Sequence, residues 1–323
     1  MSSKCYKDTR MPPNLPSGSR SEPVPAGLAG ALDRAVRGLF GVSWGKARGW
    51  IESGKVTVDG QRVTLTTARV AAEAIVAVDE RAARVRRGEL ADSDVVYVDA
   101  QVIVVDKPTG LSTVPYDDTE VDTMESRVLA YLERRGRSRG GRPTVGIVHR
   151  IDKETSGLVV FTRTWMAKQS LAAQFRQHTV HRRYLALAQG DVRSRTVRTF
   201  LVENRGDGLR GSARGTPPAS AREAITHIES LEKLAGGATL VACRLETGRT
   251  HQIRIHLSES GHPIVGERVY TRHFAGTLLE APRLMLHAAE LGFVHPATES
   301  AMRWERPIPA DMAAILERLR RGA

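Results

Sequence analysis

The segment His149-Arg150-Ile151-Asp152-Lys153-Glu154-Thr155-Ser156-Gly157-Leu158 lies between an apolar run ending at Val148 and a second, Leu158-Val159-Val160-Phe161. Short apolar runs rich in β-branched residues read as buried strands. A charged segment between two such strands is costly to keep unless its charges are paired or used. Asp152 is therefore the first residue to explain. Taken alone, it is an aspartate in a turn, capping the local backbone with its carboxylate. Its meaning depends on what the rest of the chain places around it.

Outward from this segment, strand-like runs recur at 95–98, 102–105, 158–161, 184–188, 224–230 and 238–245, with helical patterns at 123–135, 166–177, 251–260 and 311–321. Many strands with few intervening helices predict an α+β fold with a mixed, largely antiparallel central sheet and flanking helices, not a regular β-α-β alternation. One large domain is expected over 95–323. Residues 202–220, rich in Gly, Arg, Ser and Pro, read as a flexible surface excursion. Residues 80–94 are charged and poor in large apolar groups and read as a linker, with Arg81, Arg84, Arg86 and Arg87 available to phosphates. Residues 1–26, with five prolines among Ser and Gly, cannot bury enough surface to offset ordering and read as a disordered tail.

Residues 27–79 form a compact unit. Leu28, Leu32, Val36 and Leu39 recur at helical spacing, and Ser43 is placed to cap a second helix with Ala47, Trp50 and Ile51 inward and Lys46 and Arg48 exposed. Asp59-Gly60 then marks a hairpin between 55–58 and 61–63. Two short helices followed by a small strand unit resemble the small RNA-binding module named after a ribosomal small-subunit protein. Gly54-Lys55-Val56-Thr57-Val58-Asp59-Gly60 carries most of that resemblance. Ala72-Glu73-Ala74 departs from it, standing where the module usually has a Gly-Asp pair.

The 323 residues carry 48 Lys and Arg against 36 Asp and Glu, a formal net charge of +12. Such a balance favours a polyanionic partner, nucleic acid or an anionic membrane surface. Without a basic amphipathic helix rich in Trp and Phe, nucleic acid is preferred. The arginines cluster: Arg127, Arg134, Arg135, Arg137, Arg139, Arg142 and Arg150 are accompanied by the single acid Glu133. No apolar run is long enough to span a membrane, and no apolar leader is visible at the start. Cys5 and Cys243 are the only cysteines, one in the tail and one in a strand-like run. A disulfide framework is not expected, which suits a reducing cytoplasm.

Further motifs give Asp152 its context. Val104-Val105-Asp106-Lys107-Pro108-Thr109-Gly110-Leu111 resembles the first motif of the RluA family of pseudouridine synthases, and His149 to Leu158 resembles the second. Arg183-Tyr184-Leu185-Ala186-Leu187 is similar to that family's tyrosine-bearing segment. Leu245-Glu246-Thr247-Gly248-Arg249-Thr250-His251-Gln252-Ile253-Arg254 is similar to its third motif. His262-Pro263-Ile264-Val265-Gly266 and Arg283-Leu284-Met285-Leu286-His287-Ala288 extend the match, which runs from about Val102 to Met312 in order. Two departures stand out: Glu267 where the family usually has Asp, and arginine rather than lysine before Tyr184. Neither is expected to touch the acting residues.

The resemblance implies an isomerase that detaches uracil from its ribose, turns it over and rejoins it through carbon. Nothing is oxidised and no group is donated, so no cofactor is expected. Asp152 is the implied catalytic carboxylate, attacking C1′ of the sugar or C6 of the ring, or stabilising a cationic sugar during elimination. It must be ionised at neutral pH, so a fixed cation beside it is expected, and Arg249 is the position assigned to it. Tyr184 is the implied tyrosine that stacks on uracil and takes the C5 proton. A base within folded RNA must swing out to reach Asp152, and Arg150 is placed to fill the gap left behind. Lys107, His251, Lys46 and Arg48 complete the expected RNA contacts, with His149 supporting the loop.

The basic runs 163–183 and 193–214 are expected to form an electrostatic track for RNA. His178-x-x-His181 and the pair His251 and His256 have ligand-like spacing, yet no cysteine or carboxylate supports them, and no metal is expected. The expected substrate is large-subunit ribosomal RNA, with transfer RNA as the alternative within the enzyme class. From another class, a non-catalytic RNA-binding or ribosome assembly factor has no physical need for Asp152, Tyr184 and Arg249 together. A monomer is the family-based default.

Overall fold

A computed structural model describes residues 19–322 apart from 65, 67, 83–87, 118, 119 and 136–142. The described residues divide into two compact units, one running to Gly88 and including Pro115–Ser126, the other comprising Glu89–Val114 and the chain from Arg127 onward.

The first unit holds helices α1 (Leu32–Phe40) and α2 (Trp44–Glu52) and strands β1 (Arg20–Pro23), β2 (Gly30–Ala31), β3 (Val56–Val58), β4 (Gln61–Arg62), β5 (Arg69–Val70) and β6 (Ile75–Val78). Four strands form an antiparallel sheet in the order β1-β6-β3-β4, and β2 pairs with β5. Leu32, Val36, Ala47, Trp50 and Ile51 pack with Val56 and Val76 in the core, so both helices bury their apolar stripe. The Ser43 hydroxyl accepts the Lys46 amide at 3.2 Å and caps α2. Asp59 and Gly60, both at positive φ, turn the β3–β4 hairpin.

Strand β1 corrects the expectation of a disordered tail through residue 26. Arg20-Ser21-Glu22-Pro23 has no apolar pattern, but its backbone pairs with β6, and Val24 behind it is fully buried. Edge pairing satisfies main-chain groups whatever the side chains, which is why composition missed it. The remainder of that tail, residues 1–18, lies outside the described residues, as do Arg84, Arg86 and Arg87 of the linker and Arg137, Arg139 and Arg142 of the arginine cluster.

The second unit is built on strands β7 (Val95–Val98), β8 (Val102–Lys107), β9 (Gly146–Ile147), β10 (Ser156–Thr162), β11 (His181–Gln189), β12 (Arg195–Val202), β13 (Gly211–Ser212), β14 (Arg222–Leu234), β15 (Ala238–Leu245), β16 (Leu286–Val294) and β17 (Ala301–Glu305). The remaining helices are α3 (Met124–Arg135), of which Arg127 onward belongs to this unit, α4 (Trp165–Arg176), α5 (Gln252–Glu259) and α6 (Ala310–Arg320). The sheet runs β13-β12-β14-β15-β11-β16-β10-β8-β7, with β17 on β16 and β9 on β10. Only β10 and β16 run parallel among its described pairs; the others are antiparallel. The fold is α+β with a mixed, largely antiparallel sheet.

Every strand and helix expected in this unit is present, but β9, β12, β13, β17 and the central strand β16 were not expected; β16 is the most consequential of these. Eight of its nine residues are buried, so it shows no alternation. It also carries His287 and Glu290 inward. Glu290 is accommodated by Nη1 of Arg183 at 2.9 Å, by His181 at 2.8 Å and by Arg303, so its burial is matched by charge. The excursion at 202–220 contains the short strand β13 and is tied down by Arg205, which pairs with Asp207 and Glu259.

Candidate active site

The loop carrying Asp152 enters β10 at the middle of the sheet. Ala288 on β16 pairs with Gly157 of β10 on one side and with Tyr184 of β11 on the other, so these three residues form a row across the sheet. Gly157 is required there: at φ 111° a Cβ would lie 2.3 Å from the Ala288 carbonyl oxygen. A register shift between Arg183 and Tyr184 bends β11 at the same level, the kind of bulge that re-aims a side chain.

Segment 107–113 clasps the Asp152 loop through its backbone. Lys107, fully buried, donates its ammonium to the carbonyls of Pro108 (2.8 Å), Leu111 (2.7 Å) and Lys153 (3.2 Å). Gly110 N–H donates to Lys153 O, the Thr109 hydroxyl to Glu154 O, and the Thr113 hydroxyl both donates to Ile151 O and accepts Ile151 N–H. His149 accepts the Val160 amide at 3.0 Å and stacks on Phe175 at 4.8 Å. Burial, reinforced by the Arg182 charge, pushes His149 down to about 3, so it is a neutral prop.

The loop from β15 to α5 is organised by Gln252, which is buried. Its carbonyl oxygen accepts the Thr247 hydroxyl and the Arg249 amide, and its amide nitrogen donates to Ile225 O and Thr226 Oγ1. The loop ends on His251, a non-glycine residue at φ 58°, one position before α5. His251 just before that helix and Arg254 on its first turn both come close to the Asp152 carboxylate.

These two face Asp152. Arg254 Nη1 is 3.8 Å from Asp152 Oδ2, and His251 Nε2 is 4.0 Å from Asp152 Oδ1. The expected partner Arg249 does not take this place. Its Nε donates to the Glu223 carbonyl at 3.0 Å and its side chain is exposed. The reason is helical geometry: Arg249 lies in the loop before α5, whereas Arg254 projects from the helix face turned to Asp152. Arg254 is in turn gripped by Glu267, Nε to Oε2 and Nη2 to Oε1, both at 2.8 Å. Burial alone would raise Glu267, but the Arg254 guanidinium and the amides of Val269 and Tyr270 hold it below the usual carboxylate range. Glu267 touches none of Asp152, Tyr184 and Arg249, but it grips the guanidinium that faces Asp152. His251 Nδ1 lies 2.7 Å from the buried Tyr270 hydroxyl, and burial lowers the imidazole against the opposing pull of Asp152.

A cavity of about 550 Å³ opens over this cluster, lined by Asp152, Tyr184, Arg182, His251, Arg254 and Ile253, among others. Burial pushes the Tyr184 phenol up to about 12, with Arg182 opposing, so it is uncharged at neutral pH. Arg182 is buried, donates to the Glu246 carbonyl at 2.8 Å and lies 5.4 Å from the Phe175 ring. Arg150, Arg176 and Arg249 are exposed at the rim of the same cavity.

Asp152, Tyr184, Arg249, Arg150 and His251 therefore share one cavity. Lys107 does not: its ammonium is enclosed by carbonyls and cannot reach a phosphate, which corrects its assignment as an RNA contact. Lys46 and Arg48 belong to the first unit, on α2; Lys46 lies 4.7 Å from the Trp50 ring, and Arg48 pairs with Asp33 at 2.9 Å. The run 163–183 is partly internal, since Arg182 is buried and Arg183 is engaged by Glu290. Arg254, Glu267, Tyr270 and Arg182 were missed. Arg254 lay inside the helical pattern expected at 251–260, but which face of that helix turns to Asp152 is set only in the fold. Among the described residues no group of three or more His, Cys, Asp or Glu is gathered as metal ligands, and no helix is long and apolar enough to cross a membrane.

Known proteins match this chain throughout. The family model of RNA pseudouridylate synthases fits residues 101–259. The chain is 35% identical to ribosomal large subunit pseudouridine synthase D of Nitrosomonas europaea, over 92% of this chain and 87% of that protein. It is 33% identical to the protein of the same name from Pseudomonas aeruginosa, over 93% and 96%. Among solved structures, human RNA pseudouridylate synthase domain containing 4 superposes with a TM-score of 0.56 at 25% identity, covering 71% of this chain and 93% of that one. With the motifs in order and the sheet that presents them, the chain belongs to the RluA family of RNA pseudouridine synthases.

Proposed function

We propose that this protein isomerises uridines in large-subunit ribosomal RNA, with Asp152 as the carboxylate that opens the glycosidic exchange. The observation that carries this is the setting of Asp152. Its side chain keeps 18% of its surface open to the cavity, with a guanidinium and an imidazole each about 4 Å away. At that separation the carboxylate faces both groups without being saturated by direct hydrogen bonds, and its oxygens remain available to the substrate. The cavity is of a size to admit a nucleotide swung out of its stack. Three exposed arginines at its rim suit the flanking phosphates, and Arg150, two residues before Asp152, is placed to occupy the vacated position. The ribosomal substrate is supported by the names of the relatives cited above.

Tyr184 provides an aromatic face for the uracil. As an uncharged phenol, its oxygen takes the C5 proton only if the phenol proton passes to solvent in the open cavity in the same step. A Tyr184→Phe variant that binds RNA but releases the C5 hydrogen slowly supports this; release at the wild-type rate removes the proton-transfer role and leaves stacking. The substrate assignment is tested by mapping pseudouridines in RNA from cells lacking the protein and from cells supplied with it. One or more large-subunit positions should lose and regain the modification. An unchanged ribosomal map, with losses confined to transfer RNA, would overturn the ribosomal substrate.

A further inference from the structure

Glu267 and Tyr270 sit three residues apart on the loop that follows Gly266, and each reaches a different neighbour of Asp152. Glu267 forks onto Arg254, which faces Oδ2; Tyr270 meets Nδ1 of His251, which faces Oδ1. The loop is itself fixed. Glu267 Oε1 accepts the amides of Arg268 and Val269, at 3.0 and 2.9 Å. Gly266, at φ 83°, approaches the Arg283 carbonyl so closely that a Cβ would lie 1.9 Å from it. The Tyr270 ring also lies 5.3 Å from the Arg254 guanidinium, which joins the two arms.

We propose that Glu267 and Tyr270 are positioning residues that orient the two groups facing Asp152, and that Tyr270 selects the tautomer of His251 carrying its proton on Nε2. The proposal rests on Asp152 being the catalytic carboxylate. The tautomer follows from electrostatics. If Nδ1 carried the proton, the Nε2 lone pair would point at a carboxylate oxygen, which is repulsive. If the Tyr270 hydroxyl donates to Nδ1, Nε2–H points at Oδ1, which is attractive. His251 is neutral in this arrangement, in keeping with the lowering of its imidazole by burial. Of the two groups facing Asp152, one is then a shared cation and the other a neutral donor. The left-handed backbone of His251 fits the same picture. A non-glycine residue at φ 58° is strained, and such strain persists where surrounding contacts over-determine the position, as at sites that need a fixed side chain.

The test uses the full-length protein with histidine labelled with ¹⁵N and an RNA transcript carrying C5-tritiated uridine. Long-range proton–nitrogen spectra, with His251 assigned by comparison with His251→Asn, should show the Nε2-protonated form in the wild type and a mixture in Tyr270→Phe. Single-turnover tritium release by Tyr270→Phe should fall about tenfold, the weight of one hydrogen bond, with RNA affinity unchanged. Glu267→Gln should fall at least as far, and Glu267→Asp should stay within about threefold of wild type because the guanidinium fork can still close. Asparagine tolerates the left-handed backbone, so His251→Asn serves as a second background in which Tyr270→Phe should cost nothing more. An unchanged His251 tautomer in Tyr270→Phe, or a further tenfold loss in the His251→Asn background, overturns the proposal. The spectra do not depend on turnover, so they separate this outcome from failure of the Asp152 assignment, which Asp152→Asn in the same release assay reports by itself.

Discussion

Replacing Arg254 by glutamine removes the guanidinium that faces the Asp152 carboxylate. At 3.8 Å, and with an effective dielectric constant of about 20, the pair is worth roughly 4 kcal/mol. Arg254 is shared with Glu267 and with Glu154, which lies 3.7 Å away, and the cavity admits water. Taking half as the lower bound gives about 2 to 4 kcal/mol, a loss of roughly 30-fold to 1,000-fold in the chemical step. The substitution also strands Glu267, fully enclosed and deprived of its partner, which costs about 3 to 5 kcal/mol of stability. The double variant Arg254→Gln/Glu267→Gln removes both charges and should recover most of the stability while remaining slow. Arg249→Gln, whose guanidinium bonds only a carbonyl among its described contacts, should lose less than about tenfold, chiefly in RNA affinity. Single-turnover tritium release and urea unfolding separate the two effects. A loss with Arg249→Gln equal to that with Arg254→Gln, or a folded Arg254→Gln variant at the wild-type rate, would refute this electrostatic assignment.

Two further outcomes follow from the buried ionisable groups. Lys107→Met leaves three carbonyls without their donor and should cost about 2 to 3 kcal/mol in urea unfolding. The salt dependence of RNA binding should be unaltered, since no phosphate contact is lost; a reduced salt slope would return Lys107 to the RNA interface. Burial pushes His256 and His287 each down to about 4, whereas in the unfolded chain they titrate near 6.5. Between those values the unfolded chain binds protons that the folded chain does not. Stability therefore falls as pH drops from about 6.5 to 4, by up to about 1.4 kcal/mol per pH unit for each histidine. Urea midpoints across this window should show a shallower slope in His256→Asn, and an identical slope would contradict the assignment.

Much of this was legible in the chain because local patterns and tertiary needs agreed. Strands β8, β10 and β15 are apolar runs with clear ends, and the helix carrying Arg254 starts where its pattern starts. What escaped detection depended on pairing across space. Strand β16 looks unsuited to a core until Ser156 beside His287, and Arg183, Arg303 and His181 around Glu290, are known. Strand β1 has no side-chain signature at all. Lys107 reads as a surface lysine, because only the folded loop supplies three carbonyls to its ammonium. Arg249 was assigned from the family resemblance, and only the packing of α5 against the Asp152 loop shows that Arg254 is the guanidinium facing the carboxylate. The roles of Glu267 and Tyr270 required the loop after Gly266 to be seen against α5.

The carboxylate at position 152 is tested most directly by Asp152→Asn, which keeps the side-chain size and removes the charge. Single-turnover tritium release should become undetectable while RNA binding and the urea midpoint stay near wild type. Release by a folded Asp152→Asn protein at a rate near wild type would contradict the central role given to this residue.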